Sequence, residues 1–226
     1  SEEASASDTF LVDYQGYPAE VELFYVNWVT GEWFSENRFL PFEALGVRVH
    51  YLPFQRLFIS FPDGVVDDFN SSLVELTTDG DGMCDAVFFL NGYDCGLDDY
   101  LLKIFDESMN LIGVGIFRVC GVNLDYSVLN GYLSSFVVFN LTWGYDGSPV
   151  LFRGGTLEVL LNFNGSVFRS EPVDDSGTIL FDLPPNYPEG IFPFRLCYFG
   201  TAFPVRCNAS SFVSVLIPFR LSLIHI

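Results

Sequence analysis

Between Tyr145 and Leu183 the chain alternates turn signals with strand-like runs. Asp146-Gly147-Ser148-Pro149 precedes an alternating stretch, Asn164-Gly165 precedes a second, and Asp174-Asp175-Ser176-Gly177 precedes Thr178 to Leu183. Asn-Gly between alternating residues is a strong hairpin signal, because a two-residue hairpin turn needs positive φ at its centre. Asp175-Ser176-Gly177 launches a strand in which Ile179 and Phe181 share a face. Punctuation at this spacing leaves no room for helices and confines the region to short paired strands.

The same pattern runs through the rest of the chain. Alternation and β-branched or aromatic runs mark strands at Thr9 to Tyr14, Ala19 to Val29, Gly46 to Leu52, Arg56 to Phe61, Ser72 to Thr77, Ala86 to Leu90, Tyr100 to Phe105, Ile112 to Val119, Tyr132 to Trp143, Thr156 to Phe163, Phe192 to Tyr198 and Phe212 to Ile224. Thr30-Gly31, Pro62-Asp63-Gly64, Asp79-Gly80-Asp81-Gly82, Asn130-Gly131 and Pro188-Glu189-Gly190 separate them. An all-β protein is expected, built of immunoglobulin-like antiparallel β-sandwich modules that abut tightly.

The residues from Asp146 to Pro185 resemble the transthyretin-like or carboxypeptidase-regulatory-like group of immunoglobulin-type sandwiches found in secreted prokaryotic, including archaeal, surface proteins. Its repeats carry a D-x-x-G-x-P-V opening and a D-x-x-G-x-x-x-F-x-L-P close. Tyr14-Gln15-Gly16-Tyr17-Pro18-Ala19-Glu20-Val21 looks like the same opening, and Phe105 to Val114 is a fainter echo without the proline. The resemblance implies an extracellular structural or adhesive module and brings no catalytic residues with it. Equivalent openings at Gly16, Asn110 and Gly147 divide the chain into modules at 1–68, 69–143 and 144–226, although one enlarged sandwich also fits the absence of linkers.

Charge narrows the partners. The 226-residue chain carries 29 acidic against 10 basic residues, a formal charge of −19. Such a surface repels phosphates and anionic lipid, so neither nucleic acid nor a charged membrane surface is an expected partner. No apolar run of about twenty residues is present to cross a bilayer as a helix. The opening Ser1-Glu2-Glu3-Ala4-Ser5-Ala6-Ser7 has the character of a mature end left by signal-peptide removal.

Cysteines and sequons suit the same exported setting. Cys84 and Cys95 flank one turn, and Cys197 and Cys207 flank another, so both pairs are candidate disulfides that leave Cys120 over. Reduced, buried thiols are the alternative. Asn70, Asn140, Asn164 and Asn208 head Asn-x-Ser/Thr sequons and are candidate glycosylation sites.

Chemistry has little to work with. His50 lies in an alternating strand, His225 is next to the last residue, and Lys103 sits in Leu101-Leu102-Lys103-Ile104-Phe105; none belongs to a nucleophile or metal motif. No enzyme is expected. Asp79, Asp81 and Asp85 are the candidate ligands of a Ca²⁺ ion, since carboxylates two apart on a glycine-permitted turn suit a hard cation, while solvated turn residues are the plainer reading. Trp28, Trp33 and Trp143 could present a glycan-stacking face or fill a core.

At the C-terminus, Val213, Val215, Ile217, Phe219, Leu221 and Leu223 share one face by period two. A strand this apolar must be covered, either by its own sandwich or by insertion into a neighbouring copy. The sequence therefore points to a structural subunit of an extracellular filament, pilus or surface layer whose partner is itself. A secreted or viral surface module recognising carbohydrate or a host surface is the alternative.

Overall fold

The computed structural model describes residues 17–66, 73–91, 96–130, 135–161, 167–183, 190–200 and 207–217. The strands are β1 (Glu20–Val26), β2 (Trp33–Ser35), β3 (Arg38–Phe39), β4 (Ala44–His50), β5 (Arg56–Ser60), β6 (Leu73–Thr77), β7 (Met83–Phe89), β8 (Asp99–Phe105), β9 (Leu111–Val119), β10 (Val122–Asn130), β11 (Ser135–Trp143), β12 (Thr156–Leu161), β13 (Val167–Pro172), β14 (Thr178–Leu183), β15 (Gly190–Phe199) and β16 (Cys207–Ile217). The described residues are all-β, layered as mostly antiparallel sheets. No helix among the described residues is long and apolar enough to cross a membrane.

Sheets ordered β2-β1-β4-β7 and β3-β9-β8-β5-β6 enclose one core; sheets ordered β10-β11-β14 and β13-β12-β15-β16 enclose a second. Among the described residues every strand pair is antiparallel except β3 with β9. Period-two alternation places the apolar side chains. In β4, Leu45, Val47 and Val49 are fully buried while Arg48 and His50 turn outward, and in β5 Leu57 and Ile59 do the same.

The buried clusters divide the chain in two, not three. Val65 and Val66 pack in the first core with Phe88, Leu102 and Ile104, so a boundary at Asp67-Asp68 would cut it. Trp143 packs in the second core with Val150, Leu157 and Ile179, so a boundary at Trp143-Gly144 would cut that one. The cores part between Val119 and Cys120, where β9 runs on into β10. Asn110 and Gly147, read as module openings, instead lie in turns: Asn110 closes the β8–β9 hairpin and Gly147 follows β11.

One turn device occurs three times among the described residues, closing the β8–β9 hairpin and twice carrying the chain from one sheet to another. At Asp79, Asp106 and Asp174 the side-chain Oδ1 accepts the amide two residues on and the amide four residues on, at 2.8–2.9 Å. The residue three positions after each aspartate takes positive φ: Gly82 at 81°, Met109 at 63° and Gly177 at 72°. Aspartate supplies the side-chain bridge, and the left-handed position ordinarily calls for glycine. A Cβ on Gly177 would sit 2.2 Å from the Val150 carbonyl oxygen.

Strand direction fixes where the chain enters and leaves. Glu20 pairs with His50 and His50 with Met83, so Pro18, residues 51–55 and the Asp79–Gly82 turn share the outer tip of the first sandwich. Val26, Ala44 and Phe89 share its other end, which meets the second sandwich. There, Val122 opposite Trp143 and Thr156 opposite Phe199 lie at the junction, whereas Asn130 opposite Ser135 and Gly190 opposite Ile217 lie at the far tip. The described chain enters at one outer tip and leaves at the other.

Candidate functional site

The densest arrangement of buried polar groups lies where the two sandwiches meet. Leu40, just after β3, is fully buried in the second core although it belongs to the first half of the chain. From the other side, the segment between β11 and β12 delivers Arg153 into the first half. Its Nε lies 3.2 Å from Glu43 Oε1, and the two side chains are 2 % and 3 % exposed. The approach is coulombic, because Arg153 Nε makes no aligned hydrogen bond among the described residues. Arg153 Nη2 donates to the Arg38 carbonyl at 2.5 Å, and the guanidinium carbon stands 3.8 Å from the Tyr25 ring centroid.

Each neighbour continues the lock. Glu43 Oε2 accepts the Leu40 amide at 2.8 Å. Burial pushes the Glu43 carboxyl above its ordinary value, against the opposing pull of Arg153 and the Leu40 amide. Tyr25 donates to the Arg153 carbonyl at 3.3 Å and Tyr198 to the Gly154 carbonyl at 3.0 Å. Phe34 and Phe152 stack with ring centroids 5.3 Å apart, and Phe152 holds a positive φ of 57° to do so. Arg38 bonds Asp146 at 3.2 Å and Ser148 at 2.6 Å, so the Asp146-Gly147-Ser148 turn is an inter-sandwich clasp. Gly155 admits the strap because a Cβ there would meet the Phe199 carbonyl oxygen at 2.3 Å.

The tryptophans separate. Trp143 is fully buried in the second core. Trp33 and Phe24 lie on the outer face of the β2-β1-β4-β7 sheet at 5.5 Å, with Trp33 packed over Gly46, and the Arg48 guanidinium covers both rings at 5.9 and 5.3 Å. Trp28 is 53 % exposed and meets Phe89 edge-on at 4.9 Å. These rings are occupied by neighbours and form no shared flat platform. His50 on the same face stands 3.3 Å from Glu22, and Lys103 is an exposed strand position. His225 lies outside the described residues.

The proposed calcium ligands point to other partners. Asp79 spends Oδ1 on the Asp81 and Met83 amides. Asp85 makes a bidentate pair with Arg48 at 2.8 Å through both oxygens, which holds its carboxyl below the usual range. No group of three or more His, Cys, Asp or Glu is placed to hold a metal among the described residues. Asp79, Asp81 and Asp85 thus form a capped turn beside an ion pair.

Cys84, Cys120 and Cys197 are buried free thiols, and burial pushes Cys84 and Cys120 up to about 11. Cys197 faces Ser210 across the ladder, and Cys207 faces Phe199. Three residues of strand between Ser210 and Cys207 amount to about 10 Å of offset, beyond disulfide reach, so the Cys197–Cys207 closure is not made. Cys95 lies outside the described residues. Of the sequons, Asn140 stands exposed on β11 and accepts the Thr178 hydroxyl at 3.2 Å. Asn208 belongs to β16, while Asn70 and Asn164 lie outside the described residues.

The terminal strand is used at home. Val213, Val215 and Ile217 pair with Phe194, Phe192 and Gly190 along an eleven-residue strand, completing the second sandwich. Phe219, Leu221 and Leu223 lie outside the described residues. Sequence reasoning did not find Arg38, Glu43 or Arg153: Arg153 lies 115 positions from Arg38, and none of the three carries a local motif.

No protein-family profile and no curated protein matches the chain. Among solved structures it resembles the adhesin InvE of Yersinia pseudotuberculosis at 10% identity and TM-score 0.33, over 89% of this chain and 59% of that one. The D0-D1 domain of intimin is similar at 11% identity and TM-score 0.30, over 80% and 95%. A tetra-tandem repeat from the extending region of a large adhesion protein gives 10% and 0.31, over 78% and 45%. The chain spans 59% of the InvE structure's length. Overlaps this loose carry nothing about activity.

Proposed function

We propose that this chain is a non-enzymatic structural subunit of an extracellular filament, pilus or surface layer, and that it assembles head to tail. One observation carries the reading: two sandwiches are joined without a linker through a buried ion pair, and the described chain enters and leaves at opposite tips. A linkerless junction with Arg153 and Glu43 desolvated resists hinge motion, and a unit whose described chain enters and leaves at opposite poles propagates along a line. The acidic surface keeps such a unit soluble before assembly. Export agrees with the sequons.

Light scattering coupled to size exclusion over a dilution series tests the proposal. Masses that climb in whole multiples of the 25.4 kDa chain are expected. A monomer at every concentration overturns it.

A further inference from the structure

The strands by which the described chain enters and leaves each sandwich lie together. In the first sandwich β1 enters at the outer tip and β9 leaves at the junction; in the second, β10 enters at the junction and β16 leaves at the far tip. The Ala19 amide donates to the Ile112 carbonyl at 2.9 Å, which places the start of β9 beside the start of β1. β1 and β9 therefore both run from the outer tip to the junction, as β10 and β16 both run from the junction to the far tip. Each of these two pairs belongs to facing sheets and lies in contact across them.

Residue choice fits this arrangement. Gly113 and Gly115 stand two apart on β9, and a Cβ on either would lie 3.1 or 3.2 Å from a methyl of Val21 on β1. Val21 thus sits in a notch that larger residues would crowd. β1 is an inner strand, held by β4 along seven paired residues and by β2 along three. β16 is held by β15 along ten. Ladder hydrogen bonds run perpendicular to the strands, so a pull along the strand loads a whole ladder at once, whereas a pull across it opens one pair at a time. At the junction the load passes from β9 into β10 through the backbone, beside the Arg153–Glu43 pair and the bonds from Arg38 to Asp146 and Ser148.

We infer that this chain is a load-bearing tether. Tension drawn along it is carried as shear, between β1 and its neighbours in the first sandwich and between β16 and its neighbours in the second. Unzipping is the weak direction of a ladder, and end-to-end tension engages it in neither sandwich. The property belongs to the single chain, so it is tested apart from head-to-tail assembly.

Single-molecule force spectroscopy on the full chain carrying Pro53→azidohomoalanine compares both directions in one protein. Pro53 is exposed in the loop after β4, at the tip where Glu20 lies opposite His50. Pulling between the two chain ends shears both sandwiches, while pulling between the N-terminus and position 53 unzips β1 from β4. At one loading rate the end-to-end rupture force should exceed the unzipping force by about twofold or more. End-to-end traces should show two ruptures, each releasing roughly 300 Å of chain. Because both pulls use the same molecule, a difference in folding cannot produce the contrast. Equal forces in the two directions, or either end-to-end rupture at the unzipping force, would overturn the inference.

Discussion

Glu43 and Arg153 meet in a desolvated pair contributed by different sandwiches, 3.2 Å apart at Oε1 and Nε. The two partners differ in how they tolerate isolation. Arg153 cannot shed its charge, whereas the Glu43 carboxyl is already pushed upward by burial and can protonate. Glu43→Gln should therefore destabilise by about 3–5 kcal/mol, and Arg153→Met by less. Glu43→Leu combined with Arg153→Met should recover most of the loss, as apolar replacements of buried pairs often do. Denaturant unfolding of the four proteins checks the order.

The Glu43 result also has a pH signature. With Arg153 removed, the raised carboxyl contributes stability that is fully present below the unfolded value near 4.5 and is lost as pH rises through the folded value. Arg153→Met should thus show its smallest deficit in mild acid and its largest at neutral pH. A deficit independent of pH between 4 and 8 would place Glu43 outside the effect.

Several aspartates act with the opposite sign, among them four held down chiefly by a side-chain hydrogen bond. Asp85 is held down by Arg48, Asp99 by Arg118, Asp106 by Asn110 and Asp174 by Ser176. Their folded values lie below the ordinary 3.8, so their contribution is present above that pH and disappears as pH falls through the folded values. Melting temperature should drop below about pH 4, and Asp174→Asn should blunt the drop.

The repeated aspartate-bridged turn predicts a pair of opposite outcomes. Met109 occupies a left-handed position that costs a side-chain residue about 1–2 kcal/mol, so Met109→Gly should be neutral to stabilising by up to about 1 kcal/mol. Gly177→Ala should destabilise by more than 1 kcal/mol, roughly, since strain at φ 72° adds to the clash with the Val150 carbonyl. Thermal melts of the two variants decide it.

Thiol labelling reports on burial. Cys84 and Cys120, pushed up to about 11, should resist iodoacetamide at pH 8 in the native protein and react on unfolding. Rapid native labelling, or a disulfide at Cys84 in peptide mapping of secreted material, would contradict free buried thiols.

Much of the fold is legible because turns and alternation are local. Asp174-Asp175-Ser176-Gly177 shows both the bridging aspartate and its glycine, whereas Met109 hides the same turn at Asp106. The hairpin expected from Asn164-Gly165 appears as the β12–β13 pair, although its tip lies outside the described residues. β10 alternates through Val122, Leu124 and Tyr126 and was available to the same reasoning, while β2 and β3 are too short to show a period. The junction was not legible: Glu43 follows Pro41-Phe42 and Arg153 precedes Gly154-Gly155, and nothing local marks either as buried. Two cores without a linker leave no compositional shift, so turn spacing suggested three modules where packing makes two.

Electron microscopy of assembled protein tests the central claim most directly. Two sandwiches end to end, whose longest strands have nine and eleven residues, correspond to an axial repeat of roughly 60–75 Å per chain. Polar, unbranched filaments with that repeat are expected. Filaments repeating at half that distance, antiparallel pairs without polarity, or only dispersed single particles would contradict a rigid two-sandwich subunit joined head to tail.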